Sequence, residues 1–236
     1  MCGRYSLHTP PEELLEHFGL TALPEWEPRY NIAPTQDVPI VRQDGDGRTL
    51  TLVRWGLIPF ALDAPPAGAP LINARSETVD TKPSFRWAFR RRRCLVPADG
   101  FFEWKKDGRA RHPYYVTLAS GRPFAFAGVW DRWVPDDRDP VESCTILTTE
   151  PNQVAKPLHD RMPVILPPSV YDRWLASEAE VESLHGLLVP FDSGEMIAYP
   201  VDRYVNKTDN EGPACIARIS APAPHVELDL FDFGES

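Results

Sequence analysis

The residue with the most distinctive chemical option in this chain is Cys2, placed directly after Met1. Methionine aminopeptidases remove Met1 ahead of a small second residue, and cysteine qualifies. Processing leaves Cys2 with a free α-amine beside its thiol. An unperturbed α-amine titrates near ~7.7–8.0 and a thiol near ~8.5, so both have reactive fractions close to neutrality. Such a 1,2-aminothiol condenses with an aldehyde to a Schiff base, and the thiol then adds to the imine and closes a five-membered thiazolidine. An isolated amine gives only a hydrolysable imine. The same group can instead act as an N-terminal nucleophile on an acyl carbon, and a small residue after the initiator also arises by chance.

Three further places offer supporting groups. Glu103 lies in Phe101-Phe102-Glu103-Trp104, where strand alternation puts it on one face with Phe101. A carboxyl group among aromatics has a raised pKa and can serve as general acid and base; a rim glutamate paired with Lys105 is the plainer reading. His159 sits between two expected strands in Leu158-His159-Asp160-Arg161-Met162-Pro163, where a histidine is more often structural than catalytic. Asn73 and Arg75 put an amide and a guanidinium two residues apart, suited to a sugar hydroxyl and a phosphate. Cys94, Cys144 and Cys215 are widely spaced, with no C-x-x-C and no nearby histidine pair, so they read as small core residues. No cofactor and no metal site is expected.

The elements that must position these groups are mostly strands. Thr9-Pro10-Pro11-Glu12 reads as a capping box opening a helix through Phe18 and stopped by Gly19. Pro28 to Pro34 reads as an irregular loop. Val38–Arg42 and Thr49–Arg54 flank Asp44-Gly45-Asp46-Gly47 as a hairpin, and Ala61–Pro70, with three prolines, reads as an insertion. Residues 83–92 are expected to be helical. Strands are expected at Leu95–Val96, Phe101–Lys105, Tyr114–Leu118, Phe124–Val129, Thr145–Thr149 and Val164–Leu166. Two short helices follow at Ser169–Leu175 and Ser177–His185. Helices that are short and do not alternate with strands point to a single α+β domain built on a largely antiparallel, barrel-like β core.

With 42% hydrophobic residues in 236, the chain can bury a real core. No apolar run approaches the ~20 residues of a membrane span, and the N-terminus lacks a signal-peptide h-region, so the expectation is a cytoplasmic protein. The formal charge of −9 disfavours nucleic acid as a bulk figure but is unevenly spread. Residues 82–111 carry a net +7 together with Phe85, Trp87, Phe89, Phe101, Phe102 and Trp104, whereas residues 177–236 carry −9. Cations interleaved with aromatics suit a single-stranded nucleic-acid groove; a solvated arginine-rich helix face with buried aromatics fits the same composition.

Six ordered segments together resemble one family: Met1-Cys2-Gly3-Arg4-Tyr5, Arg29-Tyr30-Asn31-Ile32-Ala33-Pro34, Arg54-Trp55-Gly56-Leu57-Ile58-Pro59, Ile72-Asn73-Ala74-Arg75-Ser76-Glu77-Thr78, the run from Cys94 to Trp104, and the run from Leu158 to Leu166. They are similar to the SOS-response-associated peptidase (SRAP) family of abasic-site processing proteins over roughly residues 2–219. The resemblance implies recognition of abasic sites in single-stranded DNA and a thiazolidine crosslink through Cys2 that shields the site from strand cleavage. It also implies autoproteolytic peptidase and lyase-type activity. By motif, Cys2 is the nucleophile, Asn73 orients the opened sugar, Glu103 moves protons during ring opening and Schiff-base formation, and His159 assists proton transfer and reversal. Arg4, Arg75 and Arg161 hold phosphates, with Pro34 and Thr148 near the bound nucleotides. Phe60 and Ala61 stand near where the family usually carries tryptophan, and the run Arg90–Arg93 is denser than the pattern needs, which leaves room for extra phosphate contacts.

Residues 221–236 read as an acidic tail after a domain spanning 1–220. Within it, Glu227-Leu228-Asp229-Leu230-Phe231 is similar to the short motif by which bacterial proteins dock on the sliding clamp, with Glu in place of the usual Gln. The expected partner is single-stranded DNA with abasic sites, met by a monomer at damaged DNA on the nucleoid. A cysteine peptidase acting on other proteins and a non-covalent single-strand binding module are the competing readings.

Overall fold

A computed structural model describes residues 2–25, 27–64, 68–136 and 139–220. Along the chain run β1 (Tyr5–Leu7), α1 (Pro11–Phe18), β2 (Arg29–Ile32), β3 (Asp37–Asp44), β4 (Gly47–Trp55), β5 (Asn73–Arg75), α2 (Pro83–Arg91), β6 (Arg93–Ala98) and β7 (Gly100–Asp107). There follow β8 (Ala110–Leu118), β9 (Phe124–Trp133), β10 (Val141–Thr149), β11 (Met162–Pro163), β12 (Ile165–Leu166), α3 (Tyr171–Leu175), α4 (Val181–His185) and β13 (Met196–Pro200). No described helix is long and apolar enough to cross a membrane.

The β3–β4 hairpin starts a closed ring. β4 pairs with β10, β10 with β9, β9 with β6, and β6 returns to β3. Closure into a five-stranded barrel removes the exposed strand edges that an open sheet must protect. Its strands carry fully or nearly fully buried apolar residues such as Val38, Ile40, Val53, Leu95, Ala127, Val129 and Ile146. The ladders are antiparallel except β10 with β4 and β10 with β5, which are parallel. A second antiparallel sheet, in the order β13-β8-β7-β1-β2, carries the N-terminus. Gly100 opposes Ser6 where β1 meets β7, and the Tyr115 ring lies so close that a Cβ at Gly100 would sit 2.3 Å from it. The tyrosine hydroxyl in turn pairs with Ser6 Oγ at 2.7 Å, locking β1 in register.

Several local expectations are corrected. Arg29–Ile32 is a strand paired with β1 rather than a loop. The N-cap of α1 is Pro10, which has no side chain to cap with; the Thr9 hydroxyl donates to buried Asp99 instead. The third helix begins at Tyr171 behind a 3-10 turn, and the fourth at Val181 rather than Ser177. Of Val164–Leu166 only Ile165–Leu166 is a strand, paired with β9, and Val164 lies between it and β11. Cys94 and Cys144 are buried on β6 and β10 as free thiols, whereas Cys215 lies on a 3-10 turn in a small separate core with Phe102, Tyr115, Val201 and Val205. Residues 65–67 of the proline-rich insertion and the tail segment Glu227–Phe231 lie outside the described residues.

Candidate active site

Cys2 lies three residues ahead of the start of β1 and is fully buried. Continuing the β1–β7 register two residues beyond Tyr5↔Phe101 places Gly3 opposite Glu103, and Phe102 N donates to Arg4 O at 2.9 Å along the same ladder. The N-terminal residues therefore run beside the Glu103 carboxyl group. Asn73 approaches from the barrel: Trp55 Nε1 and Ile146 N both donate to Ile72 O, at 3.0 and 3.1 Å, and this fixes β5 next to β10. From there Asn73 Nδ2 donates to Cys2 O at 2.8 Å, while its buried Oδ1 has no partner among the described residues. Glu103 and His159 line a common cleft of about 1110 Å³ together with Trp104, Lys106, Arg111 and Lys156. The four residues expected to carry chemistry thus converge on one site.

Burial, and then the Glu103 charge, push the Cys2 thiol well above its ordinary range. Burial also raises Glu103, and the nearby Asp160 charge adds to it. His159 is held below the usual imidazole range mainly by burial, with Lys106 adding to the effect and Asp160 opposing it. His159 Nδ1 accepts from Arg161 N at 3.0 Å, yet lies 2.7 Å from Asp160 Oδ1. The nitrogen cannot serve both at once: without a proton Nδ1 accepts from the amide, and with one, in a neutral or a charged ring, it donates to the carboxylate. The depressed pKa favours the neutral ring.

The flanking wall comes from three adjacent strands. Thr148 on β10 is in register with Arg75 on β5 and with Pro163 on β11. Arg75 is exposed; Thr148 is buried, with its hydroxyl directed at Ala74 O. Arg161 donates to Thr148 O at 2.6 Å and, through both terminal nitrogens, to the two oxygens of Glu77 at 2.5 and 2.9 Å. Arg4 donates to Asn31 Oδ1 at 2.7 Å and to Val205 O at 2.8 Å, with its guanidinium 5.8 Å from the Trp104 ring centroid.

Residues 1–208 match the family described as SOS response associated peptidase (SRAP). The chain belongs to that family. It is 40% identical over 221 residues to abasic site processing protein YoqW of Bacillus subtilis, covering 92% of this chain and 99% of the relative. It is 30% identical to abasic site processing protein YedK of Escherichia coli, at 92% and 99% coverage. Among solved structures, a protein from Bacteroides thetaiotaomicron superposes with a TM-score of 0.84 at 27% identity, covering 93% of this chain and all of the other.

Sequence reasoning about this SRAP chain assigned no role to Lys156, which brings a cation to the cleft from a loop with no periodic signal, or to Glu77, which occupies Arg161. Pro34 and Thr35 form the centre of a turn closed by Gln36 N donating to Ala33 O at 3.4 Å. Thr35 has φ 72°, the described non-glycine residue with positive φ. A proline followed by a left-handed residue defines a type II turn, and a β-branched side chain is strained there. Thr35→Gly is expected to raise the thermal unfolding midpoint, with a net gain of about 1 kcal/mol once the added unfolded-state entropy of glycine is offset. An unchanged or lower midpoint would show that the Thr35 side chain compensates its own strain.

Proposed function

We propose that this chain recognises abasic sites in single-stranded DNA and forms a covalent crosslink through Cys2 once Met1 is removed, shielding the site from cleavage. The observation that carries the reading is the convergence of Cys2, Asn73, Glu103 and His159 beside a cleft lined by Lys106, Arg111 and Lys156. An abasic sugar rests mostly as a closed hemiacetal, so its aldehyde must first be exposed. Protonated Glu103 supplies the proton to the ring oxygen and recovers one from the hemiacetal hydroxyl. The Cys2 amine then adds to the aldehyde, water leaves, and an imine remains. Thiol addition across the C=N bond transfers the sulfur proton to nitrogen and closes the thiazolidine. The net change is loss of one water without oxidation or reduction. Asn73 orients the opened sugar, neutral His159 moves protons during closure and reversal, and Arg4, Arg75 and Arg161 with Pro34 and Thr148 receive the strand.

A buried thiol beside a carboxyl group is a poor thiolate, since reactive cysteine nucleophiles sit in electropositive surroundings. This favours amine-first chemistry over a peptidase acting on other proteins. The peptidase activity in the family's description is placed on the chain's own Met1, and any lyase-type step on the same imine. Work at damaged DNA on the nucleoid, as a monomer and with a tail contact to the sliding clamp, belongs to the same reading.

Intact mass of the purified protein, combined with a denaturing gel against a single strand carrying one abasic site, tests the proposal. A heat-stable shifted band is expected from Met1-free protein and none from Cys2→Ala. Fully processed wild-type protein that leaves the band unshifted would refute it.

A further inference from the structure

Arg161 has five N–H donors in a rigid fork. Both oxygens of Glu77 accept from its two terminal nitrogens, Thr148 O takes another donor, and Nε is buried without a partner among the described residues. A single terminal N–H is left, so a phosphate cannot be gripped bidentately while Glu77 holds the fork. The two partners also differ in freedom. The Arg161 side chain is 14% exposed and enclosed by the β10–β11 wall, whereas the Glu77 side chain is 53% exposed on the short 3-10 turn Ser76–Thr78. Its neighbour Arg75 is exposed on the same edge. As the site stands, Arg161 is neutralised and a carboxylate faces any approaching strand.

We propose that Glu77 is a specificity-determining latch: it withholds Arg161 from the DNA backbone, and a phosphate engages the guanidinium only by displacing it. This rests on the strand-binding reading above and deepens it. A protein whose product is covalent gains nothing from long residence on undamaged strands, because every intact site occupied competes with a damaged one. An opposing charge at one phosphate position weakens reversible binding everywhere, while the covalent step at an abasic residue retains the correct strand. The ion pair also holds Glu77 ionised, since Arg161 keeps its pKa below the usual range.

The test compares wild type with Glu77→Gln, with Glu77→Ala as a second variant in case the glutamine amide rebinds Arg161. Reversible binding of an intact single strand is followed by fluorescence anisotropy across a salt series. Crosslinking of an abasic strand is followed on gels with intact strand as competitor. Removing the carboxylate is expected to tighten intact-strand binding about fivefold, the size of one like-charge contact at a half-exposed site. The slope of log K against log salt should steepen by about 0.7, one more phosphate engaged. The intact-strand concentration that halves the crosslinking rate should fall in proportion. Unchanged or weaker binding by both variants overturns the latch and makes Glu77 a support for Arg161 instead. A wild-type protein that binds intact strands yet never crosslinks refutes the parent reading, while the anisotropy comparison still decides the latch.

Discussion

Glu103→Gln is expected to slow crosslink formation with an abasic single strand by about 10²–10³-fold, the usual worth of a positioned general acid–base group. The substitution keeps size and hydrogen-bonding capacity but removes the exchangeable proton, and Glu103 is the carboxyl group that the β1–β7 register sets beside the N-terminal residues. The pH dependence follows from the direction of its shift. Burial raises the Glu103 pKa, so the protonated acid persists closer to neutrality than an exposed glutamate allows. The wild-type rate should rise with pH as the Cys2 amine loses its proton, then fall as Glu103 loses the proton it donates. In the amide variant the second limb disappears. Stability moves the other way. A carboxyl group whose folded pKa exceeds its unfolded value favours folding in its protonated form and opposes it once pH rises past the unfolded value. At neutral pH the amide variant is therefore expected to unfold at a higher temperature than wild type while reacting more slowly. Rate assays on abasic strands and thermal melts of the same samples check both signs, and a variant that reacts at the wild-type rate removes Glu103 from the chemistry.

What the amino-acid pattern conveyed was the local half of this arrangement. The alternation in Phe101-Phe102-Glu103-Trp104 put Glu103 on one face with Phe101 and left its burial open, which the fold decides by enclosing both, whereas Asp44-Gly45-Asp46-Gly47 correctly marked the hairpin that begins the barrel. The long runs of β-branched and aromatic residues sufficed for an α+β domain with a barrel-like core. Short elements whose conformation is set by a partner were not legible. Asn73–Arg75 has three residues and no alternation to read, and is a strand because Trp55 and Ile146 hold Ile72 against β10. Arg29–Ile32 lies between prolines and is extended because β1 needs a second neighbour. The neutralisation of Arg161 was out of reach for a related reason: Glu77 stands 84 residues away, and each residue read alone is a solvated charge.

The basic block shows the same limit at the scale of a segment. Its +7 contains two surfaces. Lys106 and Arg111, on the β7–β8 hairpin, line the cleft with Glu103 and His159. Arg86 and Arg90, on α2, lie with half-exposed Trp87, whose ring packs 5.7 Å from that of Phe60. Arg92 belongs to neither: it pairs with buried Asp131 and lies 5.2 Å from the Trp130 ring, which Arg42 covers at 4.4 Å. A charge count cannot separate cations that face solvent from cations that hold strands together, because only the fold decides which carbonyls and carboxylates they meet.

Arg93 carries that distinction furthest, and its removal is expected to cost about 3–5 kcal/mol, the scale of breaking a buried charged hydrogen-bond cluster. Its side chain is 5% exposed at the start of β6. Nε donates to Trp174 O and Nη1 to Phe89 O and Arg90 O, all at 2.7 Å, and Nη2 donates to Ala176 O. Phe89 and Arg90 belong to the last turn of α2, and Trp174 and Ala176 to the end of α3, where helices leave carbonyls without intrahelical donors. One guanidinium therefore closes two helix C-termini onto the barrel, and its charge also suits the negative ends of both helix dipoles. Arg93→Ala would take the guanidinium donor from the buried carbonyls of Phe89, Arg90 and Trp174, while Ala176 O keeps a bond from Ala179 N at 3.1 Å. Arg93→Lys should recover little, because an ammonium has three donors on one atom and cannot span carbonyls from two helices. Urea unfolding should show a large fall in midpoint for both variants. By contrast, Arg90→Ala and Arg91→Ala, at exposed positions, should stay within about 0.5 kcal/mol of wild type. If Arg93→Ala unfolds like the exposed pair, its four hydrogen bonds do not hold the helices.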